Sequence, residues 1–111
     1  PEYYSDYLSN IHFMAGDHAA AIRELEKCRG GFPDRAVLSA AAWAHLGKSE
    51  EAAAAYRYFF TLTAERWEGG GPASDDSLES WIMDALPISW AEGRHSLLAG
   101  LRLARQMAGK A

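Results

Sequence analysis

The chain has 111 residues, about half of them hydrophobic (49%), and a formal net charge of −4. That length supports one domain with its own core, or a fragment of a longer protein. The anionic balance, with no basic stripe to offset it, excludes nucleic acid as the main partner, because binding there is driven by phosphate neutralisation.

Alanine is abundant while Val and Ile are few, which is an all-helical composition. No run approaches the roughly eighteen apolar residues of a membrane span, and no signal peptide is expected. The single cysteine, Cys28, excludes an internal disulfide and fits a reducing compartment, so a cytoplasmic location is expected. The opening "PEYYSDYL" lacks an initiator methionine and already reads as helix, which predicts a piece excised from a larger protein.

Two stretches repeat one another. "IHFMAGDHAAAIRELEKC" and "AWAHLGKSEEAAAAYRYF" align with a constant offset of 31, matching His12 to Trp43, Gly16 to Gly47, Ala21 to Ala52, Leu25 to Tyr56 and Cys28 to Phe59. In each copy an amphipathic helix ends at the glycine and a polar turn follows. A second helix then presents a small residue, Ala21 or Ala52, that allows close approach, with bulkier residues one and two turns on. The expected unit is a helical hairpin.

The Gly47-Lys48-Ser49 triplet in the second copy also resembles the end of a phosphate-binding loop. Such a loop needs a glycine five residues earlier and a preceding strand. Ala42 stands at that place, and "RAVLSAAAWAHL" carries helical spacing. Gly47 is therefore expected to close one helix in the left-handed conformation, with Ser49 as N-cap of the next and Glu50 and Glu51 in its first turn.

These residues resemble the tetratricopeptide repeat (TPR). That family pattern has a large residue in the first helix, a glycine at the turn, then Ala, a bulky residue and a further apolar residue in the second. Pro33 stands where the family places proline before the next unit; Ala64 takes that place after the second copy. The offset of 31 is shorter than the family's usual length of about 34. The resemblance covers residues 3 to 64 and implies an α-solenoid fragment.

After Ala64 the repeat stops. "ERWEGGGPASD" is a loop that cannot continue a helix. Asp76 followed by Glu79 makes a start like a capping box. Leu78, Trp81, Ile82 and Ala85 line one face of a short helix that Leu86-Pro87 ends. A last helix from about Ala91 to Met107 places Leu97, Leu98, Leu101 and Ala104 on one side. These two helices are expected to cap the exposed apolar end of the repeat pair.

The tail "DDSLESWIMDALPISWAEGRHSLLAGLRLA" is similar to the closing segment of TPR regions at the C-terminus of bacterial class III adenylate/guanylate cyclase-like proteins. The matching elements are Asp76, Trp81, Leu86-Pro87 and Gly100-Leu101-Arg102; the extreme end, "LARQMAGK", departs from that pattern. The resemblance implies a regulatory or assembly region. Similar tails follow winged-helix domains in some relatives, so the sensor or oligomerisation domain of a transcriptional regulator, or a free-standing TPR adaptor, stands as the alternative.

Chemistry-bearing residues are sparse. His12, His18, His45 and His95 are scattered, and one Glu-x-x-His, from Glu92 to His95, falls short of the paired motifs of a di-metal bundle. They are expected as surface or capping residues. Cys28 at a packing position is expected as a small buried hydrophobe. The acid pairs Glu50-Glu51 and Asp75-Asp76 are explained by helix starts. No catalytic arrangement, metal or cofactor is expected, and nothing resembles the α+β domain that cyclase chemistry needs.

What remains is the concave face of the first helices, with Tyr3, Asp6, Asn10 and Phe13, then Val37, Ala41 and Ala44. It lacks lysines to clamp a terminal carboxylate, so the expected ligand is a helix or extended apolar segment. Packing against neighbouring helices of a parent chain is the competing use of the same residues. Trp67 and Trp90 are expected in tertiary packing or at an interface.

The expectation is thus an all-α domain: two TPR-like helical hairpins over 1–64, a Gly/Pro loop over 65–75, and C-terminal capping helices over 76–111. Its expected role is non-catalytic binding of a protein or peptide, self-association, or contact with the parent chain's N-terminal domain. Neither nucleic acid nor membrane is an expected partner.

Overall fold

A computed structural model describes residues 2–86 and 91–110. The described residues form six helices and no strand: α1 (Glu2–Met14), α2 (His18–Leu25), α3 (Pro33–His45), α4 (Ser49–Glu65), α5 (Asp75–Ala85) and α6 (Ala91–Met107). Helix α1 packs on α2, α3 on α4, and α2 joins the two pairs through α3.

Both glycine turns take the left-handed backbone that the sequence implies, with φ of 82° at Gly16 and 74° at Gly47. The Lys48 N–H then bonds the Trp43 carbonyl and the Asp17 N–H the His12 carbonyl, so the two turns close alike. The Gly47-Lys48-Ser49 stretch is thus a helix-to-helix turn. Ser49 is the first residue of α4 rather than its cap; Lys48 holds the cap position without a side-chain bond.

The second helices of the two copies differ in length. Helix α4 runs 17 residues, whereas α2 runs eight. Arg29-Gly30-Gly31 cannot sustain helix and Pro33 starts α3. Cys28, opposite Phe59 in the repeat, therefore lies beyond the end of α2 and is half-buried, not a core hydrophobe as expected.

Helix α3 is the centre of the molecule. It contacts α4 and α6 extensively, and α2 and α1 less. Seven of its residues, Ala36, Val37, Leu38, Ala40, Ala41, Ala42 and Ala44, are buried. An apolar surface on nearly every side suits a helix covered on nearly every side. Ala52 on α4 is fully buried, as is Ala21 on α2, while Tyr56 and Phe59 fill the core from the next turns of α4. Burying such a side chain contributes about 1.5–3 kcal/mol.

The last helix lies along α3 and α4. Gly100 makes this possible: a Cβ there would stand 2.8 Å from the Ala41 Cβ and 2.7 Å from His45 Nε2. Leu97, Leu101 and Ala104 are buried by the same contact. Helix α5 is capped by Ser74 and Ser77, whose side chains bond each other's backbone N–H. The expected Asp76/Glu79 box is therefore corrected, because those carboxylates are used elsewhere. Leu78 and Ile82 are buried and Trp81 packs edge-on to Trp67 at 5.4 Å, but Ala85 is exposed. Trp90 and Pro87 lie outside the described residues.

A charged clasp holds α5 and the chain's end to α4. Tyr56, fully buried, donates its hydroxyl to Glu79 Oε2 at 2.7 Å and lies 3.0 Å from Asp75 Oδ1. Glu79, only 2% exposed, also meets Arg105 at 3.4 Å and Arg102 at 3.7 Å. Arg105 reaches Asp76 at 2.7 Å, and Lys110 reaches Asp75 at 2.9 Å while resting 3.6 Å over the Phe60 ring. Burial, then the Glu79 carboxylate, pushes the Tyr56 hydroxyl far above its ordinary pKa, so it serves only as a donor. Burial works against ionisation of Asp75, but hydrogen bonds from Lys110 and Tyr56 outweigh it and lower its pKa.

Two measurements test this packing. Ala52→Leu overfills the α3/α4 contact and should cost about 1–3 kcal/mol; an unchanged melting temperature would contradict the placement of Ala52. Tyr56→Phe removes the hydroxyl that buried Glu79 accepts from and should cost about 1–3 kcal/mol. Amide hydrogen exchange should then quicken first in α5, and uniform exchange across the helices would speak against a local clasp.

Candidate functional site

A cleft of about 580 Å³ lies between α1 and α3. Tyr7, Asn10, Ile11 and Met14 of α1 form one wall, Val37 and Leu38 of α3 its base, and Leu25, Leu86 and Leu97 close the remaining sides. A volume of that order suits a small apolar ligand or a few side chains of a docked segment.

The cleft exists because α1 and α3 touch only lightly, each being held by its own partner helix. One ion pair fixes their separation. Arg35 on α3 grips Asp6 on α1 with two bonds, Nε to Oδ1 at 2.8 Å and Nη2 to Oδ2 at 2.7 Å. The same guanidinium bonds the Arg29 carbonyl and stacks 4.8 Å from the Phe32 ring. The hydrogen bonds from Arg35 outweigh partial burial and, with the Cys28 thiol at 3.5 Å, hold the Asp6 carboxyl below its usual range. Both partners are thereby neutralised. Ser9 Oγ and Asn10 Nδ2 each donate to the Asp6 carbonyl, which fastens the polar side chains of the wall to their own helix.

The residues expected on a concave face fall into two sets. Asp6, Asn10 and Val37 line the cleft. Phe13, Ala41 and Ala44 are core residues, and their expected place on an open surface is corrected. Helix α6 covers that part of α3 through Gly100, while Phe13 packs against His18. Tyr3 is 75% exposed and stands outside the cleft on α1.

Sequence reasoning missed the other stripe of α1. Tyr4, Tyr7 and Ile11 are 58%, 64% and 44% exposed, and with Met14 they follow a three-four-three spacing. That spacing marks one helical face and could have been read alongside the Tyr3/Asp6/Asn10/Phe13 face one residue away. Tyr7, Ile11 and Met14 also line the cleft, so the stripe and the cleft form one surface. Arg35 was missed because only the fold brings it to Asp6.

The histidines are not all peripheral. His18 and His45 stack with ring centres 4.6 Å apart and planes 14° from parallel; His18 is half-buried, which corrects its reading as a surface residue, whereas His45 and His95 are exposed as expected. Among the described residues no three His, Cys, Asp or Glu side chains gather as a metal site, and no helix is long and apolar enough to cross a membrane. A scan against family models and searches of the curated proteins and of the solved structures find no match to this chain.

Arg35→Gln should lower stability at neutral pH by about 1 kcal/mol, the scale of a partly exposed pair. Because Asp6 has a lowered pKa in the fold, its contribution is present above about pH 4 and lost as pH falls. The difference between wild type and Arg35→Gln should therefore shrink in denaturant titrations at lower pH. An equal difference at pH 7 and pH 3 would contradict the pair's role.

Proposed function

We propose that this chain is a non-catalytic protein-interaction domain that takes an uncharged, apolar segment of a partner protein along α1 and its cleft. One observation carries the reading. Of the eight large hydrophobic residues most exposed on the described surface, four lie on α1, namely Tyr3, Tyr4, Tyr7 and Ile11. They adjoin a cleft lined mostly by apolar side chains, in which Arg35 is paired with Asp6 and Asp34 is a further, exposed carboxylate. Tyrosine suits such a surface, offering a large contact area at low entropic cost and a polar tip. An aliphatic or aromatic partner residue inserted beside Leu38 and Leu97 would meet apolar side chains, and the exposed carboxylate of Asp34 is the further charged group in the lining.

The repeat resemblance supports the same reading. The offset of 31, the matching left-handed glycines and the small residues Ala21 and Ala52 are what two TPR-like hairpins need, with α5 and α6 as the capping pair. In a cyclase-like signalling protein such a C-terminal region would serve regulation or assembly. The tail motif behind that proposal has structural uses here: Asp76 binds Arg105, Trp81 meets Trp67, and Gly100 admits α6 against α3.

Selection of peptides from a displayed random library against the wild-type chain, followed by calorimetry, tests the proposal. The enriched peptides should be apolar and uncharged, and Ile11→Glu should weaken them by about tenfold or more, as loss of a central apolar anchor does. Peptides that bind wild type and Ile11→Glu equally would place the site elsewhere. A wild-type dimer in sedimentation that Ile11→Glu dissociates would assign the surface to a second copy instead.

A further inference from the structure

We infer that the stacked His18 and His45 form an acid-sensitive joint between the first helical pair and the rest of the molecule, next in the chain to residues that line the cleft. His18 is the first residue of α2 and His45 the last of α3. Their rings are stacked at 4.6 Å, and the edge of Phe13 from α1 meets His18 at 4.9 Å. From α6 the Ser96 carbonyl stands 2.8 Å from His45 Nε2. A carbonyl only accepts, so that nitrogen carries a proton and donates. Three structural units therefore meet at two imidazoles.

The joint opposes a positive charge on His18. His18 begins α2, where the helix dipole opposes a cation. An imidazolium bears protons on both nitrogens, yet His18 Nδ1 is buried with no hydrogen-bond partner, so charging it leaves a buried N–H unsatisfied. The charged groups that bear on His18 are His45, which opposes its protonation, and Asp17, which favours it. Asp17 is committed as the α2 N-cap, accepting from the Ala20 N–H at 3.0 Å. Phe13 and the Ser96 carbonyl, facing the pair from α1 and α6, carry no charge.

Burial first, and His45 second, lower the pKa of His18 below the ordinary histidine value. With the folded pKa below the unfolded one, the unfolded chain binds more protons. The stability held in the joint is therefore complete above about pH 6.5 and is lost as pH falls through the interval down to the folded value. This loss begins at higher pH than that of the carboxylates Asp6 and Asp75, whose contributions fade only below their ordinary values.

The consequence for the cleft follows from the chain. Phe13 is followed by Met14 and Ala15, and Ser96 by Leu97, and all three successors line the cleft. Protonation of His18 disfavours the stack that holds these walls, so acid alters the docking surface; this last link rests on the cleft being the binding site.

The test uses the whole chain without any peptide, so it stands apart from the peptide selection. Thermal unfolding is followed from pH 7.5 to 5 for wild type, His18→Phe, which keeps a ring without titratable nitrogens, and His95→Gln as control. His18→Gln replaces the phenylalanine variant if that one does not fold. The wild-type midpoint should fall with acid, His18→Phe should lose at least about half of that fall, and His95→Gln should match wild type. In NMR, the His18 ring should titrate below about 6.5. The Met14 methyl should shift along the same curve while those of Met83 and Met107 stay fixed. Equal acid sensitivity in wild type and the His18 variant, or a His18 titration at or above the ordinary value, overturns the joint. A Met14 methyl that ignores the His18 titration overturns its link to the cleft.

Discussion

The small side chains of α3 are the constraint on which the arrangement depends. Ala40, Ala41, Ala42 and Ala44 leave that helix nearly smooth on several sides, so neighbouring helices approach until backbone and Cβ atoms meet. Larger residues would push the axes toward the wide end of the usual 8–10 Å range. Close approach explains why Gly100 of α6 stands against Ala41 and why Ala52 of α4 is fully buried. It also explains how one short helix anchors both α4 and α6. The bulk that α3 lacks is supplied by its neighbours, through Tyr56 and Phe59 from α4 and Leu97 and Leu101 from α6.

A smooth packing surface specifies distance but little direction, because alanine faces offer few ridges to interlock. Direction comes from polar contacts at the edges. Tyr56 to Glu79, Arg105 to Asp76 and Lys110 to Asp75 fix α5 and the chain's end against α4. Arg35 to Asp6 fixes α1 against α3, and His45 to Ser96 fixes the start of α6. Leaving any one acceptor without its donor is costly where the site is dry. A displaced helix would break several of these at once, which favours a single arrangement of the six.

Much of this was legible in the sequence wherever a local rule governed the outcome. Gly16 and Gly47 announce turns that need a left-handed residue, and the bounds of α6 follow from its apolar period. Locality also marks where the reading failed. Asp76 and Glu79 have the spacing of a capping box, but Ser74 and Ser77 make the cap and the carboxylates serve distant arginines. The hairpin pattern assigned Phe13, Ala41 and Ala44 to an open face because nothing in the repeat says where α6 will lie. His18 and His45 are far apart in sequence, with different neighbours, and only the second copy's return over the first stacks them. Each of these is a long-range pairing, and hydrophobic periodicity carries no information about partners.

The uneven covering of the helices bears on where function resides. Helix α3 is enclosed, and α4 and α6 are held by both apolar contact and the ion-pair clasp. Helix α1 rests mainly on α2, an element of eight residues, and keeps four large apolar side chains in solvent. A helix with one short neighbour gains little from packing and opens at low free energy compared with the core. Further apolar contact is therefore worth more to α1 than to any other helix, since it would both bury tyrosine surface and suppress that opening. The same argument places the His18 and His45 joint at the mechanically sensitive position. It ties the weakly held pair to the rigid remainder, so a change of one charge there alters the loosest part of the fold and leaves the rest in place.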